Sequence, residues 1–169
     1  KTSGQLAFDA ENNSNTAWGA QIDTRRLEGW AKLGKVFLDR PAASIGLQLS
    51  GKVHDQAAVF GDTRYDAEQR SAYANFIYQD NLGGDEAHRI KTGASLQYDR
   101  FEEFVGDRAF NRDEVVPGVF AEYTYQPGDQ FTAVAGLRGD HHNQFGFFLT
   151  PRLHLRYALS EQSVLRASA

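Results

Sequence analysis

The sequence contains no cysteine and no methionine. Without cysteine there is neither a disulfide framework nor a thiolate metal site. Without methionine there is no initiator residue, and Lys1 opens no signal-peptide pattern, so the chain is expected to be a processed product or a piece of a longer polypeptide. Proline is scarce, 4 residues against 16 glycines, a balance that favours strands and turns over helices. No apolar run approaches the roughly 20 residues that a membrane-spanning helix needs, and mean hydropathy is -0.53. That excludes helical spans. It leaves open a membrane barrel, whose strands are half polar and give weak hydropathy signals. A net charge of -4 gives no electrostatic reason to expect nucleic acid. There is no G-x-S-x-G, H-E-x-x-H or P-loop, and the carboxylates are scattered, so the sequence points away from an enzyme.

What is present is alternation. In residues 147–157, Phe147, Leu149, Pro151, Leu153, Leu155 and Tyr157 fall on one face of a strand. Phe148, Thr150, Arg152, His154 and Arg156 fall on the other. One face is apolar with an aromatic at each end; the other is polar and basic. A transmembrane β-strand needs roughly 9–11 residues with this division and with aromatics at both interfaces. The aromatic load, 12 Phe and 7 Tyr against 2 Trp, suits such girdles.

Similar alternation predicts strands at 44–53, 68–78, 88–99, 114–126, 130–140 and from 163 onward, with a less regular extended segment at 24–38. Residues 1–15, with Asn12, Asn13, Ser14 and Asn15 together, read as a polar leading segment. Short turns are predicted at 39–42, 80–86, 127–129 and 160–162. Longer polar loops are predicted at 54–66, 101–113 and 141–146. The predicted fold is all-β, an antiparallel meander of about eight strands with short turns on one rim and longer loops on the other.

The stretches 114–125 (EVVPGVFAEYTY), 131–141 (FTAVAGLRGDH), 150–160 (TPRLHLRYALS) and 164–169 (VLRASA) resemble the barrel of TonB-dependent outer-membrane receptors of the Bacteroidetes type. The resemblance covers residues 16–169 and is strongest from 114 onward. It implies a twenty-two-stranded outer-membrane barrel closed around an N-terminal plug, of which these transmembrane strands are a part. The plug, the TonB box and the remaining strands are not in these 169 residues. It implies a multi-pass protein of the Gram-negative outer membrane that binds a scarce ligand, such as a ferric siderophore, haem or cobalamin. Import would be driven by the TonB–ExbB–ExbD complex. The implied partners are outer-membrane lipid, the protein's own plug domain, that complex, the ligand and a surface lipoprotein; no cofactor is implied. The alternatives are a passive or structural outer-membrane barrel and a soluble all-β binding module, whose apolar face would pack inward.

In this family extracellular loops meet ligand. That makes Arg64, Tyr65, Phe104, Arg108, Phe110 and Arg112 candidate ligand-binding residues, since aromatics beside arginines suit a gripping surface. His141 and His142 join them as a loop pair. A metal role is disfavoured there, because adjacent residues diverge in a strand and no carboxylate stands at ligand spacing. Asp80, Asp85 and Glu86 lack the spacing of a Ca²⁺ loop, and a hairpin turn is the better reading. Glu122, Arg138, Arg152, His154 and Arg156 are expected to face the lumen, because an arginine facing lipid costs roughly 2–4 kcal/mol at the midplane.

Overall fold

The computed structural model describes residues 2–10, 17–160 and 162–169. The expected Asn-rich leading stretch at 12–15 and the boundary between 15 and 16 lie outside the described residues, as does Glu161 of the expected turn at 160–162.

The described chain is almost entirely strand. The elements are β1 (Thr2–Gly4), β2 (Gly19–Phe37), β3 (Arg40–Phe60), β4 (Thr63–Asn81), β5 (His88–Val105), β6 (Arg108–Ala109), β7 (Arg112–Tyr125), β8 (Phe131–His142), β9 (Gly146–Ser160) and β10 (Ser163–Ser168). A single 3₁₀ turn, Leu82–Gly84, joins β4 to β5. The sheet order is β1-β2-β3-β4-β5-β7-β8-β9-β10, with β6 paired to β5 alone. The pairings β1–β2, β5–β6, β7–β8, β8–β9 and β9–β10 are antiparallel. The expected all-β meander is therefore found, and the described residues form seven long strands, a six-residue β10 and two shorter strands, β1 and β6.

The three expected long loops are corrected. Residues 54–60 continue β3 and residues 63–66 begin β4, leaving only Gly61 and Asp62 as the turn. Residues 101–105 belong to β5 and 112–113 to β7, with β6 between them. His141 and His142 end β8, and the connection to β9 is residues 143–145. Two of the two-residue hairpins each turn on a left-handed glycine, Gly61 (φ 61°) and Gly106 (φ 59°), a conformation that side chains with a Cβ rarely adopt. The first turn also shifts: it is Leu38-Asp39, and Pro41 sits just inside β3, where a strand tolerates a residue without an N–H.

Register fixes the faces. Leu137 stands between Ala121 and Pro151, Ala135 between Tyr123 and Leu153, and Ala133 between Tyr125 and Leu155. Leu165 and Ala167 of β10 continue this face opposite Tyr157 and Leu155. On the other face Arg138 stands between Phe120 and Thr150, Gly136 between Glu122 and Arg152, and Val134 between Thr124 and His154.

Neither face has a core behind it. The buried hydrophobic residues are Ala17, Ala43 and Ala58, and none of the described side chains is both large and fully buried. Val119 (63% exposed), Leu149 (60%) and Leu165 (59%) stand open on the aliphatic face. The accessible surface is 12125 Å², whereas a compact monomer of 18.8 kDa exposes roughly 8,300 Å². The excess includes the aliphatic side of β7 to β10, which the described chain leaves uncovered.

By contacts the chain divides into two units. One comprises Lys1–Trp30, Ser50–Ala72 and Tyr98–Glu114; the other comprises Ala31–Leu49, Tyr73–Gln97 and Val115–Ala169.

Within the second unit, glycines make room for bulky neighbours. A Cβ on Gly93 would lie 2.2 Å from the Phe76 carbonyl oxygen and 2.6 Å from the Phe120 ring. Gly29, by contrast, has nothing within 4 Å. Gly93→Ala should lower the stability of the full-length protein in detergent by about 1–3 kcal/mol, as overpacking does. Gly29→Ala should leave it unchanged. Thermal unfolding followed by circular dichroism separates the two; equal midpoints would show that Gly93 is not a packing position.

Candidate functional site

A strand crossing the hydrocarbon of a bilayer needs about 9–11 residues. β2, β3, β4 and β5 have 19, 21, 19 and 18. Each therefore carries a surplus that the hydrocarbon does not require. The charges show which residues these are. Arg25 and Arg26 are consecutive in β2, and Glu102 and Glu103 are consecutive in β5. Consecutive strand residues point to opposite faces, so both faces are charged here. Both faces must then meet water, because a charge on a lipid face is costly.

The hairpin ends of the first unit carry a small built cluster. Tyr65 at the start of β4 donates its hydroxyl to Glu103 Oε1 at 2.8 Å. Arg112 at the start of β7 donates to the other Glu103 oxygen and, through Nε, to Glu114 Oε1 at 2.8 Å. The Arg112 guanidinium also lies 3.9 Å from the centroid of the Phe101 ring, a cation–π contact. Gly106 N donates to Arg64 O at 2.8 Å, tying one hairpin to the other, and Phe110 N donates to Glu103 O at 2.7 Å within the β5–β6 hairpin. Partial burial pushes the Glu103 carboxyl up, but the hydrogen bonds from Tyr65 and Arg112 outweigh it and leave the group below its ordinary value. Tyr65 is raised, first by burial and then by the same carboxylate.

Of the expected ligand residues, Tyr65 and Arg112 are thus brought together, with Glu103 as the bridge. Arg64 lies next to Tyr65 but turns to Asp66, 2.6 Å away. Phe104 pairs with Ala109, and Arg108 with Val105, across the β5–β6 turn. Phe110 is exposed between β6 and β7. All of these except Phe110 are strand residues, so their expected place in loops is corrected to hairpin ends. His141 and His142 belong to the second unit and diverge. His141 stands opposite Phe147 in the β8–β9 pairing. The His142 ring lies 4.7 Å from that of Phe145 and accepts a bond from Gln144 N. No group of three or more metal-ligating side chains is found among the described residues.

The polar face of the second unit collects the other expected residues. Arg138 donates to both Asp140 oxygens, at 2.7 and 2.6 Å, and to Ser95 Oγ at 2.8 Å. Glu122 lies between Lys91 (4.0 Å) and Arg152 (3.7 Å). Arg152 donates through Nε to His154, and Arg156 donates to the Asp129 carbonyl at 3.0 Å. A cleft of about 440 Å³ opens among Asn75, Lys91, Phe120, Glu122, Arg138 and Arg152. All five expected residues lie on the face opposite the aliphatic one.

Glu103, Ser95 and Asn75 were not singled out from the sequence. The strand character of the segment that holds Glu103 carried a readable signal. Arg64–Asp66, Arg70–Glu68, Arg100–Glu102, Arg112–Glu114 and Arg138–Asp140 are all pairs two residues apart on one strand. Such spacing at both ends of 101–113 indicates strand rather than loop there.

The Glu103 cluster generates a pH dependence. A carboxyl held below its unfolded value contributes stability above that value and loses it as the pH falls through the folded one. The hairpin ends should therefore loosen as the pH falls below the ordinary glutamate value of 4.5. A nitroxide placed by Asp107→Cys in the full-length protein should gain mobility over that range. With Glu103→Gln added, it should be mobile already at neutral pH and respond little to acid. Identical spectra for the two would remove Glu103 as the bridge.

The family model of the TonB dependent receptor-like β-barrel matches residues 1–169, the whole chain. No individual curated protein matches it. The family is one of transporters and receptors of the Gram-negative outer membrane whose barrels work with a plug domain and TonB. The uncovered aliphatic face, the opposite polar face and the meander order agree with that match, and the chain belongs to the TonB-dependent receptor β-barrel family.

Proposed function

We propose that this chain is wall and outer rim of a receptor that binds a scarce ligand outside the cell and imports it with energy from TonB. The ligand class is a ferric siderophore, haem, cobalamin or a similar chelate. The observation that carries the reading is the set of charged hairpin ends around Tyr65, Glu103 and Arg112. Structural turns on a passive barrel have no need of strands about twice the membrane requirement. Arg64, Phe104, Arg108 and Phe110 flank that cluster in the same hairpins and offer guanidinium and aromatic contacts to a chelate. The polar face bearing Glu122, Arg138, Arg152, His154 and Arg156 is assigned to the lumen. His141 and His142 are assigned to the ligand-facing rim by their place at the β8–β9 connection.

Uptake by cells carrying the full-length receptor tests the reading. Labelled ferric siderophore, haem and cobalamin would be offered with and without a protonophore. One of them should bind in both conditions and enter only in energised cells. Entry that persists after the inner membrane is de-energised would make the protein a passive barrel.

The assignment of faces has its own test. Leu153→Arg places a cation on the aliphatic face and should cost about 2–4 kcal/mol of barrel stability in lipid. Thr124→Arg, on the polar face, should cost less than 1 kcal/mol by the same rule. Urea titration of the lipid-reconstituted protein reads both; a reversed order would invert the faces.

A further inference from the structure

Within the first unit, residues of β2, β3, β4 and β5 line an apolar trough of about 520 Å³: Leu27, Gly29, Gly51, Val53, Ala72 and Tyr98, with Arg70 at its border. The backbone does not require the two glycines, since neither has a left-handed φ. Space does not require them either. A Cβ on Gly29 would meet nothing within 4 Å, and one on Gly51 only the Ser71 carbonyl oxygen at 3.8 Å. Their missing side chains keep the trough open. It lies on the face opposite the Tyr65–Glu103–Arg112 cluster. Consecutive strand residues point to opposite sides. Tyr65, Gln69 and Ser71 share one side of β4, and Gln69 and Ser71 donate there to Asp99. On the trough side Leu27 stands 76% exposed. Counted from the far ends of their strands, at Phe37, Arg40, Asn81 and His88, the trough residues stand roughly ten residues along, the length that crosses hydrocarbon. The trough therefore sits where hydrocarbon gives way to headgroups, on the side of the Gly61 and Gly106 hairpins.

Beyond the trough, β4 and β5 carry the same order of groups. Along β4, Ala72 is followed toward the hairpin by Arg70 and Glu68; along β5, Tyr98 is followed by Arg100 and Glu102. Each arginine donates through Nε to the glutamate of its own strand, Arg100 at 2.8 Å, and both guanidiniums remain exposed. We propose that the trough and these charges bind one phospholipid whose head carries a phosphate followed by a primary amine. An acyl chain fills the trough against Leu27, Val53 and the Tyr98 ring, whose hydroxyl is held by Asp113 at 2.7 Å. The phosphate meets Arg70 and Arg100, since a guanidinium has more N–H donors than one glutamate oxygen takes up. The ammonium reaches Glu68 and Glu102, about 6.6 Å further along the strands. Chain, phosphate and amine in the lipid thus match apolar, cationic and anionic groups along both strands. A purely anionic head would instead be repelled by the two glutamates. Arginine suits this level because its stem lies on apolar surface while its head stays in water. The inference goes beyond the receptor reading and needs only the barrel wall.

The test is native mass spectrometry of the full-length protein released from nanodiscs holding phosphatidylethanolamine and phosphatidylglycerol with the same chains in equal amounts. Phosphatidylethanolamine should be retained, one per protein, roughly tenfold over phosphatidylglycerol, the factor that one charge-assisted hydrogen bond supplies. Gly29→Leu with Gly51→Leu fills the trough and should abolish retention of both lipids while the barrel's heat-modifiable mobility stays unchanged. Should that pair misfold, Arg70→Gln with Arg100→Gln, at exposed side chains, should lower retention of both lipids by a similar factor. Glu68→Gln with Glu102→Gln should erase the preference between headgroups. Four results overturn the proposal. Equal retention of the two headgroups by the unaltered protein means ordinary surrounding lipid. Retention that survives the leucine pair, or the glutamine pair at the arginines, places the lipid elsewhere. An adduct with the mass of phosphate alone means a dissolved ion. A polypeptide that co-purifies and is lost with the leucine pair means a protein partner. Lipid retention without energised uptake overturns the receptor reading and leaves the lipid site standing; uptake without retained lipid does the reverse.

Discussion

The structure depends on one constraint: a sheet a single layer thick has to put its aliphatic face against something. A soluble domain solves this by packing a second layer over the first. Here the described residues bury only three alanines as hydrophobic core, and leucines, valines and aromatics stand open along β7 to β10. Hydrocarbon is the medium that makes this arrangement favourable, and a barrel wall is the fold that uses it. The other features follow. Small residues, Ala133, Ala135 and Gly139, alternate with large ones, because the wall needs no interdigitating core. Arginines are confined to one face wherever the opposite face is purely aliphatic.

The same constraint explains where alternation ends. A strand shows period two only when its faces meet different surroundings. In β7 to β9 one face is aliphatic and the other polar, so the pattern is plain. In the outer part of β5 both faces carry charge, in β4 the charges Arg64, Asp66, Glu68 and Arg70 share one face with Tyr65, Ala67 and Gln69 on the other, and residues 54–60 of β3 hold no aliphatic face, so the apolar period fades although the strands continue. Residues 54–66 and 101–113 read as loops for that reason. Their backbone pairing is set by neighbouring strands and by the left-handed turns at Gly61 and Gly106, and neither leaves a hydrophobic period in the sequence.

The candidate site was legible in part for related reasons. Tyr65 and Arg112 could be chosen by residue type, as aromatic and guanidinium groups in charged segments. That they share Glu103 depends on the pairing of hairpins 38 residues apart in sequence, which no local pattern encodes. The polar-face residues Arg138, Arg152, His154 and Arg156 were readable because each lies within one alternating strand. Their partners were not: Ser95 reaches Arg138 across 43 residues, and Glu122 meets both Lys91 and Arg152 from different strands. The trough lined by Leu27, Val53, Ala72 and Tyr98 likewise assembles residues of four strands.

By itself the sequence determined the all-β class, the order of the long strands, the division of β7 to β9 into an aliphatic and a basic face, and the family resemblance that the full-length match bears out. These are local properties, fixed by side-chain chemistry at period two. Only the tertiary structure decided that the apparent loops are strand, that Glu103 joins Tyr65 to Arg112, and that residues of four strands line one apolar trough. Those facts are set by register between strands, and register is fixed by turn geometry and cross-strand packing summed over the sheet.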